Sequence, residues 1–321
     1  MSSPIKIPAL DNSFGAGFIG LVLAAILYGA LTVQTYTYFR KFQDDQLRLK
    51  CLVVLLWVLN TFHLALLSNT LYYYLVSNYA NPLALIASIW QIRIHVLVNG
   101  LIPWLVQVFY AHRVFLFSNR NYFVTCTIVS LACVQLGVST FICIESFSYG
   151  KMTAQASTKW ISATVTGLGS TLACDLVISG SLCYLLRNSR TGFKRADSVI
   201  NALLVYTLVT GLLTSIFAGV NLILYATMPD TLIELAPNFF LAKLYTNSLL
   251  TTLNHRERLR TRWSQAPTAQ SVHLSAMKAI SSVPGNDSKS QNQMNDIAFQ
   301  VTNDTEDQAD ISGASDSENT A

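Results

Sequence analysis

The sequence predicts an all-α, polytopic membrane protein: a bundle of seven transmembrane helices with a disordered cytoplasmic C-terminal tail. Three observations predict this fold class. Apolar residues make up 52% of the 321 residues and charged residues only 12%, about half the charged share of an ordinary soluble domain. Long apolar runs recur seven times along the chain. The charged residues are segregated, with a basic body followed by an acidic C-terminal segment.

Seven apolar runs are each long enough to form a membrane-spanning helix. Every run has at least 22 residues, and a helix needs about 20 to cross the hydrocarbon core of a bilayer. Most runs contain no charged residue and none alternates as a strand would. A buried core of a soluble protein would require polar helix faces, which these runs lack. The runs lie at about 14–39, 51–76, 89–111, 122–144, 160–186, 198–226 and 232–253.

Lysine and arginine predict the orientation of the bundle. One set of connections holds 14 of these residues, and the other set, which includes the N-terminus, holds three. The positive-inside rule then places the N-terminal segment 1–13 outside the cell and the C-terminus in the cytoplasm. The first run is too long for the core of a signal peptide and is read as an uncleaved span. The plasma membrane is the expected location. The basic connections are 40–50, 112–121, 187–197 and 254–263.

The membrane domain is predicted to cover residues 14–263, and its end is basic. Four arginines there are expected to anchor the chain at the anionic inner leaflet, where each charge contributes about 1 kcal/mol. The segment 264–321 is acidic and rich in Ser, Thr and Asn, a composition typical of disorder. We expect this tail to be the site where a cytoplasmic partner binds. The anchor arginines are Arg256, Arg258, Arg260 and Arg262.

Two ionisable residues lie deep in the predicted spans and form the candidate site. Lys243 is 11 residues from the start and 10 from the end of its run, about 15–16 Å at 1.5 Å per residue, so its side chain cannot reach the interface. Asp175 is the acid at comparable depth. An unpaired charge there costs about 2.5–3.5 kcal/mol even on the mild insertion scale. We therefore expect a polar cluster at the midplane that pairs Lys243 with Asp175, with His63 and Asn99 nearby.

The role of this cluster is open on sequence grounds. A buried ion pair often serves only to specify the fold, whereas an ionisable group inside a membrane is also the usual mark of a ligand or ion site. Single Asn, Gln and His residues in spans are most often interhelical hydrogen-bond partners. His63 lies three residues after Asn60, and Asn99 four residues after His95, so each pair occupies one helix face.

Three stretches resemble a known family. They are "IPALDNSFGAGFIG" at 7–20, "SRTGFKRADSVINALLVYTLVTGLLTS" at 189–215 and "KLYTNSLLTTLN" at 243–254. In combination they resemble the signatures of a large family of fungal multi-span proteins, found mainly in mushroom-forming fungi and catalogued as a domain of unknown function. The resemblance covers about residues 7–260. It implies a seven-span body, and it implies no activity, ligand or partner.

Other seven-span classes can be tested on their marker residues. Microbial rhodopsins carry a Schiff-base lysine in the last span, where Lys243 lies, but also an Asp four residues earlier, where this chain has Phe239. The third span lacks their acidic counter-ion. Rhodopsin-type G-protein-coupled receptors carry Asp/Glu-Arg-Tyr after the third span, where this chain has "AHRVF", and Asn-Pro-x-x-Tyr in the last span, which is absent here.

Two function classes follow. The first is a receptor- or sensor-like binding protein with an unidentified small-molecule ligand. The second is a transporter or channel that uses the midplane cluster as its pathway, although no inverted repeat or broken helix pair is evident. An enzyme is disfavoured because the sequence shows no nucleophile–base arrangement, metal motif or phosphate loop. No cofactor and no metal are expected, and the partners are the lipid bilayer rather than nucleic acid.

Overall fold

The computed structural model is all-helical over the residues that it describes. These are residues 14–78, 81, 89–118, 120–149, 158–188, 211–225, 227, 233 and 235–255. The N-terminal segment 1–13, the tail 264–321 and the four anchor arginines, Arg256, Arg258, Arg260 and Arg262, lie outside the described residues, so the predictions made for them stay predictions.

Seven helices are described and are numbered here in chain order. The helix α2 continues without a break into one turn of π-helix at Tyr73–Ser77. Between α3 and α4 the chain reverses through Arg120, whose φ of 65° lies in the left-handed region that tight turns use. The helices are α1 Phe14–Lys41, α2 Leu47–Tyr72, α3 Trp90–Phe117, α4 Tyr122–Tyr149, α5 Thr158–Asn188, α6 Gly211–Tyr225 and α7 Leu235–Asn254.

Five of these helices, α1 to α5, are long and apolar enough to cross a membrane. They confirm the first five predicted spans in position and type. The helices extend past the apolar runs, so that α3 ends at Phe117 and α4 at Tyr149, instead of at 111 and 144. The reason is that hydropathy marks the part of a helix in hydrocarbon, while backbone hydrogen bonding continues into the interfacial residues until a turn interrupts it.

The last two predicted spans are supported less directly. The helix α6 is described from Gly211, and the predicted start of its span at 198 lies outside the described residues. The helix α7 has 20 residues, of which 14 are buried, and it falls below the hydropathy that marks α1 to α5. A helix enclosed by other helices can carry polar residues that a lipid-facing helix cannot. The count of seven membrane spans therefore stays a prediction.

The distribution of polarity suits a lipid environment. Large apolar side chains point outward from α1 and α4, with Ile26 64%, Val33 65% and Phe123 81% exposed. Polar side chains such as Asn60 and Thr246 are fully buried. Exposing apolar surface of this extent to water is unfavourable, whereas contact with lipid chains is not. Polar groups of a protein in a bilayer form hydrogen bonds inside the bundle. The described helices are thus compatible with a membrane-embedded protein.

The helices α7 and α3 occupy the middle of the described bundle. The helix α7 packs most extensively against α1 and also contacts α2 and α3, while α3 contacts α2, α4, α5 and α7. The approach of α1 to α7 is close because Gly20 lacks a side chain. A Cβ atom built on Gly20 would lie 2.7 Å from the Cα of Ala236. This contact fixes which residues of α7 face α1, and so which residues face the other helices.

Candidate functional site

The helix α7 carries Lys243 and Tyr245, the two residues around which the site is built, on opposite faces. Lys243 and Tyr245 are two residues apart, which corresponds to about 200° around an α-helix. Lys243 faces α2 and α3 through His63 and His95, and Tyr245 faces α5 through Asp175. The polar interior is therefore divided into two groups, which we call the lysine–histidine cluster (Lys243, His63, His95 and Phe239) and the Asp175 cavity.

The lysine–histidine cluster is completely enclosed. Lys243 and His63 are both 0% exposed and His95 is 1% exposed. The Nζ atom of Lys243 contacts Nδ1 of His63, and it lies 3.4 Å from the backbone oxygen of Phe239 one turn earlier. The rings of His63 and His95 lie 4.9 Å apart, and His95 meets the Phe239 ring edge-on at 5.3 Å. Three nitrogen-bearing side chains thus meet here, and no carboxylate of the described residues pairs with them.

The chemistry of Lys243 determines the tautomer of His63. An ammonium group donates hydrogen bonds and accepts none, so beside a charged lysine Nδ1 of His63 accepts and the ring carries its proton on Nε2. The Nε2 atom is buried and has no hydrogen-bond partner among the described residues. The nitrogens of His95 likewise have no partner among the described side chains. These groups remain able to take or give a hydrogen bond when the bundle rearranges.

Two further contacts tie α7 to its neighbours on this side. Asn60 of α2 donates from Nδ2 to the hydroxyl of Thr246 at 2.9 Å and to the backbone oxygen of Leu56 at 2.8 Å. Asn99 of α3 donates from Nδ2 to Oδ1 of Asn238. Buried hydrogen bonds of this kind hold membrane helices in register. Asn99 therefore joins α3 to α7 one turn or more away from Lys243 rather than within the lysine–histidine cluster.

Asp175 of α5 is held by three side chains from other helices. Gln107 of α3 donates from Nε2 to Oδ1 at 3.2 Å, the hydroxyl of Tyr245 donates to Oδ2, and the hydroxyl of Thr214 of α6 is also a hydrogen-bond partner. Asp175 is 5% exposed, Gln107 1% and Tyr245 3%. No lysine, arginine or histidine of the described residues forms an ion pair with this carboxyl group. Among the described residues its side-chain partners are thus neutral donors.

A small cavity opens beside this carboxylate. Its water-accessible volume is about 20 Å³, and a cavity needs roughly 10–15 Å³ by this measure to hold a water molecule. Hydroxyl, amide and carboxylate groups from α3, α5, α6 and α7 supply its polar lining. The lining residues are Val106, Gln107, Tyr110, Asp175, Ile178, Ser179, Gly211, Thr214, Tyr245 and Ser248. The cavity is thus sized for one or two very small species.

The predicted ion pair between Lys243 and Asp175 is not formed, and this part of the prediction is wrong. Both residues are buried in the bundle, as predicted, but the side-chain partner of Lys243 is His63. The side-chain partners of Asp175 are Gln107, Tyr245 and Thr214. The physical reason is the rotation of α7, which turns Lys243 away from α5. Of the predicted cluster, His63 is brought to Lys243, while Asp175 and Asn99 make their contacts elsewhere.

Sequence reasoning did not select Gln107, Tyr110 or Tyr245 for the site. A search for charged residues at depth passes over tyrosine, which counts as an aromatic residue typical of span ends, and over single amides. One signal was available: Tyr245 lies within the "KLYTN" stretch beside Lys243. That Tyr245 lies on the helix face opposite to Lys243 follows from helix geometry. Which of the two residues meets Asp175 does not follow from the sequence.

Part of the chain matches a known family. Residues 171–258 match the model of a family described as "Family of unknown function (DUF6534)". The matched stretch contains Asp175, Lys243 and Tyr245, and it covers less than half of the chain. Comparisons with curated proteins and with solved structures give no match. The family resemblance is confirmed for this stretch, and its extension to residues 7–170 and to a fungal source stays a prediction.

Proposed function

We propose that this chain is a receptor- or sensor-like membrane protein in which a ligand changes the packing of helices around α7. The observation that supports it best is the placement of α7. This helix is enclosed by its neighbours. Beside its two opposite faces, the neighbouring helices hold buried polar atoms that have no hydrogen-bond partner among the described residues, His63 Nε2 on one side and Gln107 Oε1 on the other. A shift or rotation of α7 exchanges hydrogen-bond partners on both faces at once. Such a bistable element is what ligand-driven switching requires.

The size of the Asp175 cavity argues against transport of an organic solute through it. About 20 Å³ beside Asp175 accommodates a water or a bare ion and excludes an organic solute. A transporter holds its substrate near the midplane between discontinuous helices, and α1 to α5 are continuous through the described residues. The alternative is an ion or proton channel. His63 Nε2 and Gln107 Oε1, which have no hydrogen-bond partner in the described part of the chain, are the kind of groups that such a pathway would use.

The proposal includes the topology that the sequence predicts. Seven spans place the N-terminus outside and the C-terminus in the cytoplasm of a plasma membrane, with the tail 264–321 available to a cytoplasmic partner. The asymmetry of 14 against three basic residues supports this orientation. The signalling output is proposed to pass through helix movement rather than through catalysis.

Reconstitution separates the two function classes. Full-length protein in vesicles is assayed for proton, sodium and potassium flux with entrapped dyes, and the same preparation is screened for thermal stabilisation by a library of small metabolites. A receptor gives saturable stabilisation by one compound class and no flux above that of empty vesicles. Flux that Lys243→Met or Asp175→Asn abolishes, and that Asp44→Asn leaves intact, would overturn the receptor proposal in favour of a channel.

A further inference from the structure

We propose that the Asp175 cavity is a binding site for a single sodium ion, coordinated by the Asp175 carboxylate and by neutral oxygens of α3, α6 and α7. The proposal concerns binding and does not depend on whether the protein signals or conducts. It rests on an unbalanced charge, on the set of oxygen ligands and on the size of the cavity.

The charge argument begins with Asp175. An ionised carboxylate removed from water needs a compensating positive charge, because hydrogen bonds from neutral groups offset only part of its desolvation. Lys243, the buried lysine of the described residues, faces His63 on the other side of α7. A bound cation in the adjacent cavity supplies the charge that no described side chain supplies. One carboxylate balances one charge, which favours a monovalent ion over calcium or magnesium.

The lining supplies oxygen atoms with free lone pairs. The hydroxyl of Tyr245 donates its proton to Asp175, and that of Thr214 has two acceptors in reach, the Gly211 backbone oxygen at 3.0 Å and Asp175, so both hydroxyl oxygens can still accept. The hydroxyls of Tyr110 and Ser248 lie 3.3 Å apart at the same cavity. Oxygen donors of this kind select hard cations such as sodium over soft transition metals.

Gln107 provides an independent indication of a ligand. Its Nε2 donates to Asp175, which fixes the amide so that the opposite atom, Oε1, is left over. This Oε1 is buried and has no hydrogen-bond partner among the described residues, although Gln107 is only 1% exposed and lines the cavity. A buried amide oxygen without a partner is unfavourable by about 1–3 kcal/mol. A cation beside it, with or without a water, removes that penalty.

The cavity volume sets the size of the ion. About 20 Å³ of water-accessible space admits a small ion with at most one or two waters. Sodium therefore loses most of its hydration shell and takes protein oxygens in exchange. Potassium is larger and requires the helices to separate, so the site is expected to discriminate between the two ions.

The test uses full-length protein in nanodiscs of neutral lipid, at constant ionic strength, with sodium, potassium or N-methyl-D-glucamine as the chloride salt. Sodium at ten times its dissociation constant multiplies the folding equilibrium constant by about 11. We expect the melting temperature to rise with sodium, to saturate, and to respond less to potassium. Radioactive sodium should bind with a stoichiometry of one ion per chain.

Matched variants assign the effect to this cavity. Asp175→Asn should abolish both the sodium-dependent shift and the binding, while Asp44→Asn, the same change at an exposed loop position, should leave both intact. Ser248→Ala and Thr214→Val retain the carboxylate and should weaken sodium binding severalfold, so the test holds even when Asp175→Asn fails to fold. Equal stabilisation by all three salts, or sodium binding that persists in Asp175→Asn, would overturn the proposal.

Discussion

The side-chain nitrogen of Lys243 contacts Nδ1 of His63, and no acidic side chain of the described residues pairs with it. A lysine at the centre of a membrane bundle is thus held by an imidazole from α2 and a backbone oxygen of its own helix. The desolvation of the lysine is offset only in part, since neither partner carries a negative charge. The burial of Lys243 is therefore incompletely compensated. Substitutions at the residues that contact Lys243 should change the stability of the bundle.

Lys243 and His63 should be energetically coupled. His63→Leu removes the side-chain partner of a buried ammonium group, which should lower the free energy of unfolding by about 1–3 kcal/mol. The double variant Lys243→Met/His63→Leu removes both groups and should lose less than the sum of the single variants, with a coupling of about 0.5–3 kcal/mol. Thermal and denaturant unfolding in lipid nanodiscs measures the cycle.

The matched control for this cycle is the pair that the sequence predicted. Lys243→Met combined with Asp175→Asn should be additive within about 0.5 kcal/mol, because Lys243 lies on the face of α7 opposite to Tyr245, which contacts Asp175, and the two residues share no partner. A coupling for Lys243 and Asp175 that exceeds the coupling for Lys243 and His63 would contradict the structure and restore the original pairing.

Tyr245 should stabilise the bundle through its hydroxyl group alone. Tyr245→Phe keeps the ring and removes the donor to Asp175, which leaves a buried carboxylate oxygen without its partner. We expect a loss of about 1–3 kcal/mol. Tyr184→Phe is the matched control, since Tyr184 is 71% exposed, and it should change the free energy of unfolding by less than about 0.5 kcal/mol. Equal effects of the two variants would show that the Tyr245 contact contributes nothing.

The contact between α1 and α7 should tolerate no side chain at Gly20. In Gly20→Ala the added Cβ meets the backbone of Ala236 at 2.7 Å, and the helices must separate. Overpacking of this kind costs about 1–3 kcal/mol, seen as a lower melting temperature. Gly29→Ala on the same helix has nothing within 4 Å of the new atom and should be neutral or slightly stabilising. A tolerated Gly20→Ala would mean that the two helices pack less closely.

The orientation of the chain should be detectable with terminal tags. Tags placed after Met1 and after Ala321 should be reachable from opposite sides of the membrane, the first from outside intact cells and the second only after permeabilisation. The expectation rests on the 14-to-three asymmetry of basic residues and on an odd number of spans. Two tags on one side would show that one span is miscounted, most plainly among the helices after α5.

The sequence alone determined that α1 to α5 are apolar helices long enough to span a membrane, and that Lys243 and Asp175 lie deep within the bundle. Transfer from water to lipid depends on each residue and its near neighbours along the chain, so hydropathy and spacing are sufficient for such predictions. The family match at residues 171–258 was likewise visible in short motifs.

Only the tertiary structure decided which polar groups meet. The partner of Lys243 depends on how α7 is rotated about its axis, and a step of two residues, from Lys243 to Tyr245, reverses the face by about 200°. That rotation is set by contacts far apart in the chain: Gly20 against Ala236, Asn60 with Thr246 and Asp175 with Tyr245. The depth of a residue in the membrane follows from the local sequence, whereas the neighbouring helix that its side chain faces is decided by the assembled bundle.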